Sequence, residues 1–194
     1  MRPPFILASG SPRRRQLLEE AGYEFEVIRP AVAELSEPCF TIREVTICNA
    51  TRKALEIARS SPSAVVLGAD TLVALDGEVI GKPTDLAHAE KLLRRLSGRW
   101  HEVRTAVFIC HLAIGQAHSF QTVSQVQFRA LDHRAIAQYL AKVDPLDKAG
   151  AYAAQGHGAE IIERIDGSYS NVVGLPMEAT ARALRAFGIK ARGA

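Results

Sequence analysis

The chain has 194 residues, 47% of them hydrophobic and 23% charged, enough to bury a core without disulfides or a structural metal. Its 24 basic and 21 acidic residues leave a net charge of +3, too balanced to argue for a nucleic-acid or membrane partner. Composition thus excludes a disordered tail, a collagen or coiled-coil rod, and a disulfide-stapled miniprotein.

In chain order, Phe5-Ile6-Leu7-Ala8 reads as a buried strand leading into Ser9-Gly10-Ser11-Pro12. Ser11 suits a helix N-cap and Pro12 a first helical residue, because proline's missing N–H costs nothing there. A helix from Pro12 to about Ala21 is expected, with Leu17, Leu18 and Ala21 inward and Gly22 as its stop, then a strand over Phe25 to Ile28. Thr41 and Glu44 have capping-box spacing before a long helix to about Arg59. Ala64 to Leu67 predicts a central strand ending at Gly68-Ala69-Asp70-Thr71. Asp76-Gly77 then signals a hairpin turn between Leu72–Leu75 and Val79–Ile80.

A helix follows from near Asp85 to before Gly98. Glu102 to Ile114 and Ala117 to Arg129 predict an antiparallel pair, and helices near Asp132 to Ala141 and Pro176 to Phe187 bracket a glycine-rich stretch. Alternating strands and helices make this an α/β chain. It shows no repeat or linker, so residues 1–194 are expected to form a single domain with two lobes.

The longest apolar stretch, Thr105 to Ile114, is interrupted by His111 and falls short of the roughly 20 residues a spanning helix needs. The start, Met1-Arg2-Pro3-Pro4, gives no secretory signal. Cys39, Cys48 and Cys110 lack C-x-x-C spacing, so reduced thiols in a cytoplasmic protein are expected. The six histidines have no ligand spacing, and none is assigned to metal.

Ser9-Gly10-Ser11-Pro12-Arg13-Arg14-Arg15 brings hydroxyls, guanidinium groups and a helix N-terminus together, a phosphate cradle in principle. The same residues also suit an ordinary capped helix with solvated arginines. Asp70, at the end of an apolar strand, suits a metal ligand, a general base or a turn residue. With Glu34 it could hold one Mg²⁺, which takes few carboxylates. Lys53 lies on the helix after Thr41, and Lys82 on a loop between Gly81 and Pro83. In Asp147-Lys148-Ala149-Gly150-Ala151-Tyr152-Ala153-Ala154-Gln155-Gly156, small residues surround Lys148, Tyr152 and Gln155. They suit either a close backbone approach to a ligand or a plain connector.

Taken in order, these motifs resemble the Maf family of nucleoside triphosphate pyrophosphatases, also called septum-formation inhibitors. The resemblance spans nearly the whole chain. It includes Leu7-Ala8-Ser9-Gly10-Ser11-Pro12-Arg13-Arg14, Glu34, Lys53, Gly68-Ala69-Asp70-Thr71, Gly81-Lys82-Pro83, Ser97-Gly98 with His101, the Asp147–Gly156 run and Asn171–Pro176. It implies a mixed sheet with helices in two lobes around a nucleotide cleft, as in inosine triphosphate pyrophosphatases. It further implies hydrolysis between the α- and β-phosphates with a divalent cation, Mg²⁺, Mn²⁺ or Co²⁺, and a homodimer.

Carried over by residue, Asp70 matches the proton acceptor, while Glu34, Lys53 and Lys82 match the family's other catalytic or phosphate-binding positions. Ser9, Ser11 and Arg14 match the phosphate loop, Lys148 falls in the substrate-binding run, and Glu34 with Asp70 is the implied metal pair. Arg13, Thr71 and Gln155 resemble the branch acting on dTTP and UTP; the branch acting on 7-methyl-GTP carries Trp, Gln and Glu there. Ala33 and Ala106 depart from the family pattern, which often has Asp and Gly, and the first departure shifts metal binding onto Glu34 with Asp70. The alternative class is a nucleotide-binding regulator of septum formation with incidental hydrolysis.

Overall fold

The computed structural model describes residues 3–35 and 40–192, so Cys39, Met1 and Arg2 lie outside the described residues. Two compact units emerge: the described parts of Met1–Thr71, Thr105–Thr122 and Gly174–Ala194 form the first, and Leu72–Arg104 with Val123–Val173 the second. Among the described residues seven strands are hydrogen-bonded in the order β2-β1-β3-β5-β6-β7, with β4 on β3: β1 (Phe5–Ala8), β2 (Glu26–Ile28), β3 (Val65–Leu75), β4 (Glu78–Ile80), β5 (Trp100–His111), β6 (Gln116–Phe128) and β7 (Ile162–Asp166).

In the first unit β1 pairs in parallel with β2 (Leu7 opposite Val27) and with β3 (Ala8 opposite Gly68). The crossovers run through helices α1 (Pro12–Glu20) and α2 (Ile42–Ser60). Ser11 caps α1 by accepting from the Arg14 N–H, and Thr41 and Glu44 complete the capping box of α2. Ile6, Ala8, Val66, Ala54, Ile57, Ala58 and Cys110 form a core between strands and α2. Gly68 is the close approach in that layer, because a Cβ there would lie 2.4 Å from the Ala50 carbonyl oxygen and 2.7 Å from the Ala54 nitrogen.

In the second unit β3 and β4 form the expected hairpin, with Leu75 opposite Glu78 and positive φ at Asp76 and Gly77. Helix α3 (Leu86–Leu96), capped by Asp85, buries Ala89, Leu92, Leu93 and Leu96. They join Val103, Val126, Phe128, Tyr139 of α4 (His133–Leu140), Tyr152 and Ile161 of α5 (Gly158–Ile161) in a second core. Of two further helices among the described residues, α6 (Tyr169–Val173) belongs to this unit and α7 (Met177–Ala186) to the first, and only residues 112–115 separate the neighbouring strands β5 and β6. Four residues are too few for a parallel crossover, so the pair is antiparallel as expected.

Two expectations are corrected. Asp70 does not end a strand: it sits mid-way along the eleven residues of β3, which runs on through Leu72–Leu75. A strand tolerates this polar pair because both side chains find partners. Ala21 is exposed, since α1 stops at Glu20 and Ala21 belongs to the cap that turns through Gly22. No helix among the described residues is long and apolar enough to cross a membrane.

Candidate active site

Helix α2 places Asn49, Lys53 and Glu56 at i, i+4 and i+7, one stripe of its surface. Strand β3 puts Gly68 and Asp70 on one face, because alternate side chains share a face. The missing side chain at Gly68 lets α2 settle on β3, and Asp70, two residues on, meets the stripe. Lys53 Nζ donates to Asp70 Oδ1 at 2.7 Å and to Glu34 Oε1 at 2.6 Å. The Lys53 and Asp70 side chains are 11% and 5% exposed, and that of Glu34 is 52% exposed. The first contact is thus a buried ion pair with a solvent-facing carboxylate on its outer side.

The segment bearing Glu34 is fixed to α2 at two points. Glu56 Oε2 accepts from the Ala31 N–H at 2.8 Å. Asn49 Oδ1 accepts from the Leu35 N–H at 2.8 Å, while Asn49 Nδ2 donates to the Leu35 carbonyl at 3.2 Å and reaches Asp70 Oδ2 at 3.4 Å.

A second network surrounds the β1–α1 turn. Arg14 is buried and donates from Nε to the Gly174 carbonyl (2.8 Å), from Nη1 to Ser9 Oγ (3.2 Å) and from Nη2 to Thr71 Oγ1 (3.0 Å). Thr71 Oγ1 also lies 2.9 Å from Thr105 Oγ1. Burial lowers the Arg14 guanidinium from its usual value, and the Asp70 charge counters it. Ser9 Oγ accepts additionally from the Ser11 N–H at 3.2 Å, and Arg13 is half-buried. Sequence-expected Ser9, Ser11, Arg14 and Thr71 are thus in one network, and Glu34, Lys53 and Asp70 in another, all within the first unit.

The remaining expected residues, Lys82, Lys148 and Gln155, belong to the second unit. Lys82 is exposed, and its loop is tied to the other by the Gly150 N–H donating to the Gly81 carbonyl at 3.0 Å. Lys148 pairs with Asp147. Gln155 is half-buried beyond Tyr152, whose hydroxyl lies 2.8 Å from His101 Nε2. Gly150 and Ala151 both hold positive φ, +71° and +62°. A positive φ is uncommon for a residue with a Cβ, and at Ala151 it stores backbone strain.

The carboxylates suit a hard divalent cation. Glu34 Oε1 and Asp70 Oδ1 converge on the Lys53 ammonium, which fills the point between them, so a cation would share these carboxylates with Lys53 rather than lie between them. Two carboxylate oxygens with water and phosphate oxygens are the donor set that Mg²⁺ or Mn²⁺ accepts.

The model of the family described as Maf-like protein matches residues 4–187. The chain belongs to the Maf-like family. Among relatives of this Maf-like chain, one from Akkermansia muciniphila named dTTP/UTP pyrophosphatase is 44% identical over 191 residues, covering 98% of this chain and all of that protein. Relatives with the same name from Aquifex aeolicus (43%, covering 96% of each chain) and Halalkalibacterium halodurans (41%, covering 97% and 98%) are similar over equal lengths. A solved structure, the Staphylococcus aureus Ham1 protein, overlaps 64% of this chain and 71% of its own at TM-score 0.46 and 17% identity.

Sequence reasoning missed Asn49, Glu56, Thr105 and the Gly174 carbonyl as partners in these networks. The first two carried a signal: with Lys53 they form a polar stripe on α2, a helix whose other buried positions include Ala50, Ala54, Ile57 and Ala58.

Proposed function

We propose that this Maf-like protein hydrolyses dTTP and UTP to the monophosphate and pyrophosphate. The observation that carries the reading is the Lys53-bridged pair of Glu34 and Asp70, in the same unit as the Ser9–Arg14 loop. Relatives 41 to 44% identical over nearly the full length and named dTTP/UTP pyrophosphatase support the substrate class.

In this reading a water oxygen bonds to the α-phosphorus as the bond to the bridging oxygen breaks, and pyrophosphate departs. Asp70 takes the water's proton at Oδ2, the oxygen Lys53 does not engage. Lys53 holds Asp70 and Glu34 in register. Ser9, Ser11, Arg13 and the first turn of α1 bind phosphate, with Arg14 bracing the loop and adding charge. Glu34 and Asp70 hold a divalent cation, Mg²⁺, Mn²⁺ or Co²⁺, which when bound neutralises charge on the phosphate oxygens. Lys82 and Lys148 add positive charge. Gln155, with Arg13 and Thr71, selects the base, since a neutral amide matches a pyrimidine carbonyl and N3–H. A cytoplasmic homodimer without nucleic-acid or membrane partners goes with this reading.

The test is pyrophosphate and phosphate release from a panel of standard and modified nucleoside triphosphates with each cation, beside the Asp70→Asn protein. Pyrophosphate from dTTP and UTP is expected, falling by about a hundredfold or more in the variant. Turnover unchanged by Asp70→Asn sinks the mechanism, and pyrophosphate from 7-methyl-GTP alone sinks the substrate reading.

A further inference from the structure

Asn49 is almost fully buried, at 3% exposure, yet its amide faces the polar side of α2. A buried amide must satisfy its groups, and its orientation is here dictated by one residue. The Leu35 N–H can only donate and the Leu35 carbonyl can only accept, so Oδ1 must face the first and Nδ2 the second. The second Nδ2 proton is left toward Asp70 Oδ2 at 3.4 Å. One side chain therefore fixes the residue next to Glu34 and touches the carboxylate of Asp70. Lys53, one turn further along α2, grips the other oxygen of Asp70 and the carboxylate of Glu34.

We infer that Asn49 is a positioning residue for catalysis, which sets Glu34 and Asp70 at a common distance from Lys53. The inference rests on the pyrophosphatase reading for its kinetic consequence and on geometry alone for its structural one. Without the Asn49 amide, the segment bearing Glu34 loses one of its ties to α2, while the Lys53 contact and the Glu56 contact at Ala31, three residues before Glu34, remain. The exposed Glu34 carboxylate then samples other positions, and the reacting groups lose alignment. Small misplacements of catalytic groups lower the turnover number more than substrate affinity.

The test is Asn49→Leu, which keeps the branched shape without polar atoms, made alone and in a Glu34→Gln background. Asn49→Leu is expected to lower kcat for UTP about tenfold while KM stays within about twofold. In the Glu34→Gln background the same change should cost less than about twofold, because the residue it positions is already altered. Amide hydrogen exchange at Leu35 gives a readout independent of activity: protection seen in the wild type should be lost in Asn49→Leu and kept in Glu34→Gln.

Equal losses of kcat in both backgrounds, or unchanged kcat with unchanged Leu35 protection, overturn the inference. If the wild type releases no pyrophosphate, the functional reading fails by itself, and the Leu35 exchange result still decides the geometric claim.

Discussion

At the scale of single residues, the centre of the molecule is one ammonium between two carboxylates. A buried pair that loses one member leaves an uncompensated charge, and that costs about 3–5 kcal/mol. Lys53→Met should therefore destabilise the protein by about that amount in urea titration, because Asp70 is left buried without its cation. Adding Asp70→Asn to Lys53→Met should restore part of the loss, since the orphaned charge is gone. A Lys53→Met protein as stable as wild type would mean that Asp70 is not an ionised partner. Glu34 behaves differently: its side chain is half exposed, and Glu34→Gln should change stability by less than about 1 kcal/mol.

At the scale of elements, the packing of α2 on β3 decides whether those residues meet. Gly68→Ala forces a methyl group against backbone atoms of α2 that cannot rotate away. A loss of about 1–3 kcal/mol or more in thermal or urea unfolding is expected, with activity falling as α2 is displaced. One source of pH dependence lies in the second unit. Burial holds His101 down from 6.5 to about 4, so the folded protein keeps it neutral where the unfolded chain would protonate it.

Its stabilising contribution is complete above about 6.5 and is lost as pH falls toward 4, with a slope approaching 1.4 kcal/mol per pH unit. A Tm–pH profile should show that slope, and His101→Gln should flatten it.

Much of this scale was legible in the sequence: the Ser11 and Thr41 caps, the helix starts near Asp85 and Asp132, the Asp76-Gly77 turn and the Lys53 helix all follow local rules. The continuation of β3 through Asp70 was not, because a polar pair reads as a strand end until its distant partners are known. The Arg14, Thr71, Thr105 and Gly174 network escaped for the same reason, since it joins residues from four parts of the chain.

At the scale of the whole molecule, the proposed roles divide between the units: phosphate and metal residues in the first, Lys82, Lys148 and Gln155 in the second. Replacing Gln155 by Glu should therefore reduce UTP and dTTP turnover by roughly one to two powers of ten, the cost of an unpaired buried acceptor, while stability is kept. Unchanged kinetics would remove Gln155 from base selection. The order of these motifs along the chain was legible from the family resemblance, whereas the division into units from discontinuous segments was not, because no linker marks it. The carbonyl that receives the Arg14 Nε–H lies 160 residues downstream, on Gly174. During synthesis the Ser9–Arg14 loop therefore leaves the ribosome long before the carbonyl that braces it. A chain stalled before Gly174 thus has an unfastened Ser9–Arg14 loop, and on the proposed function premature termination should yield inert fragments rather than nucleotide-consuming ones.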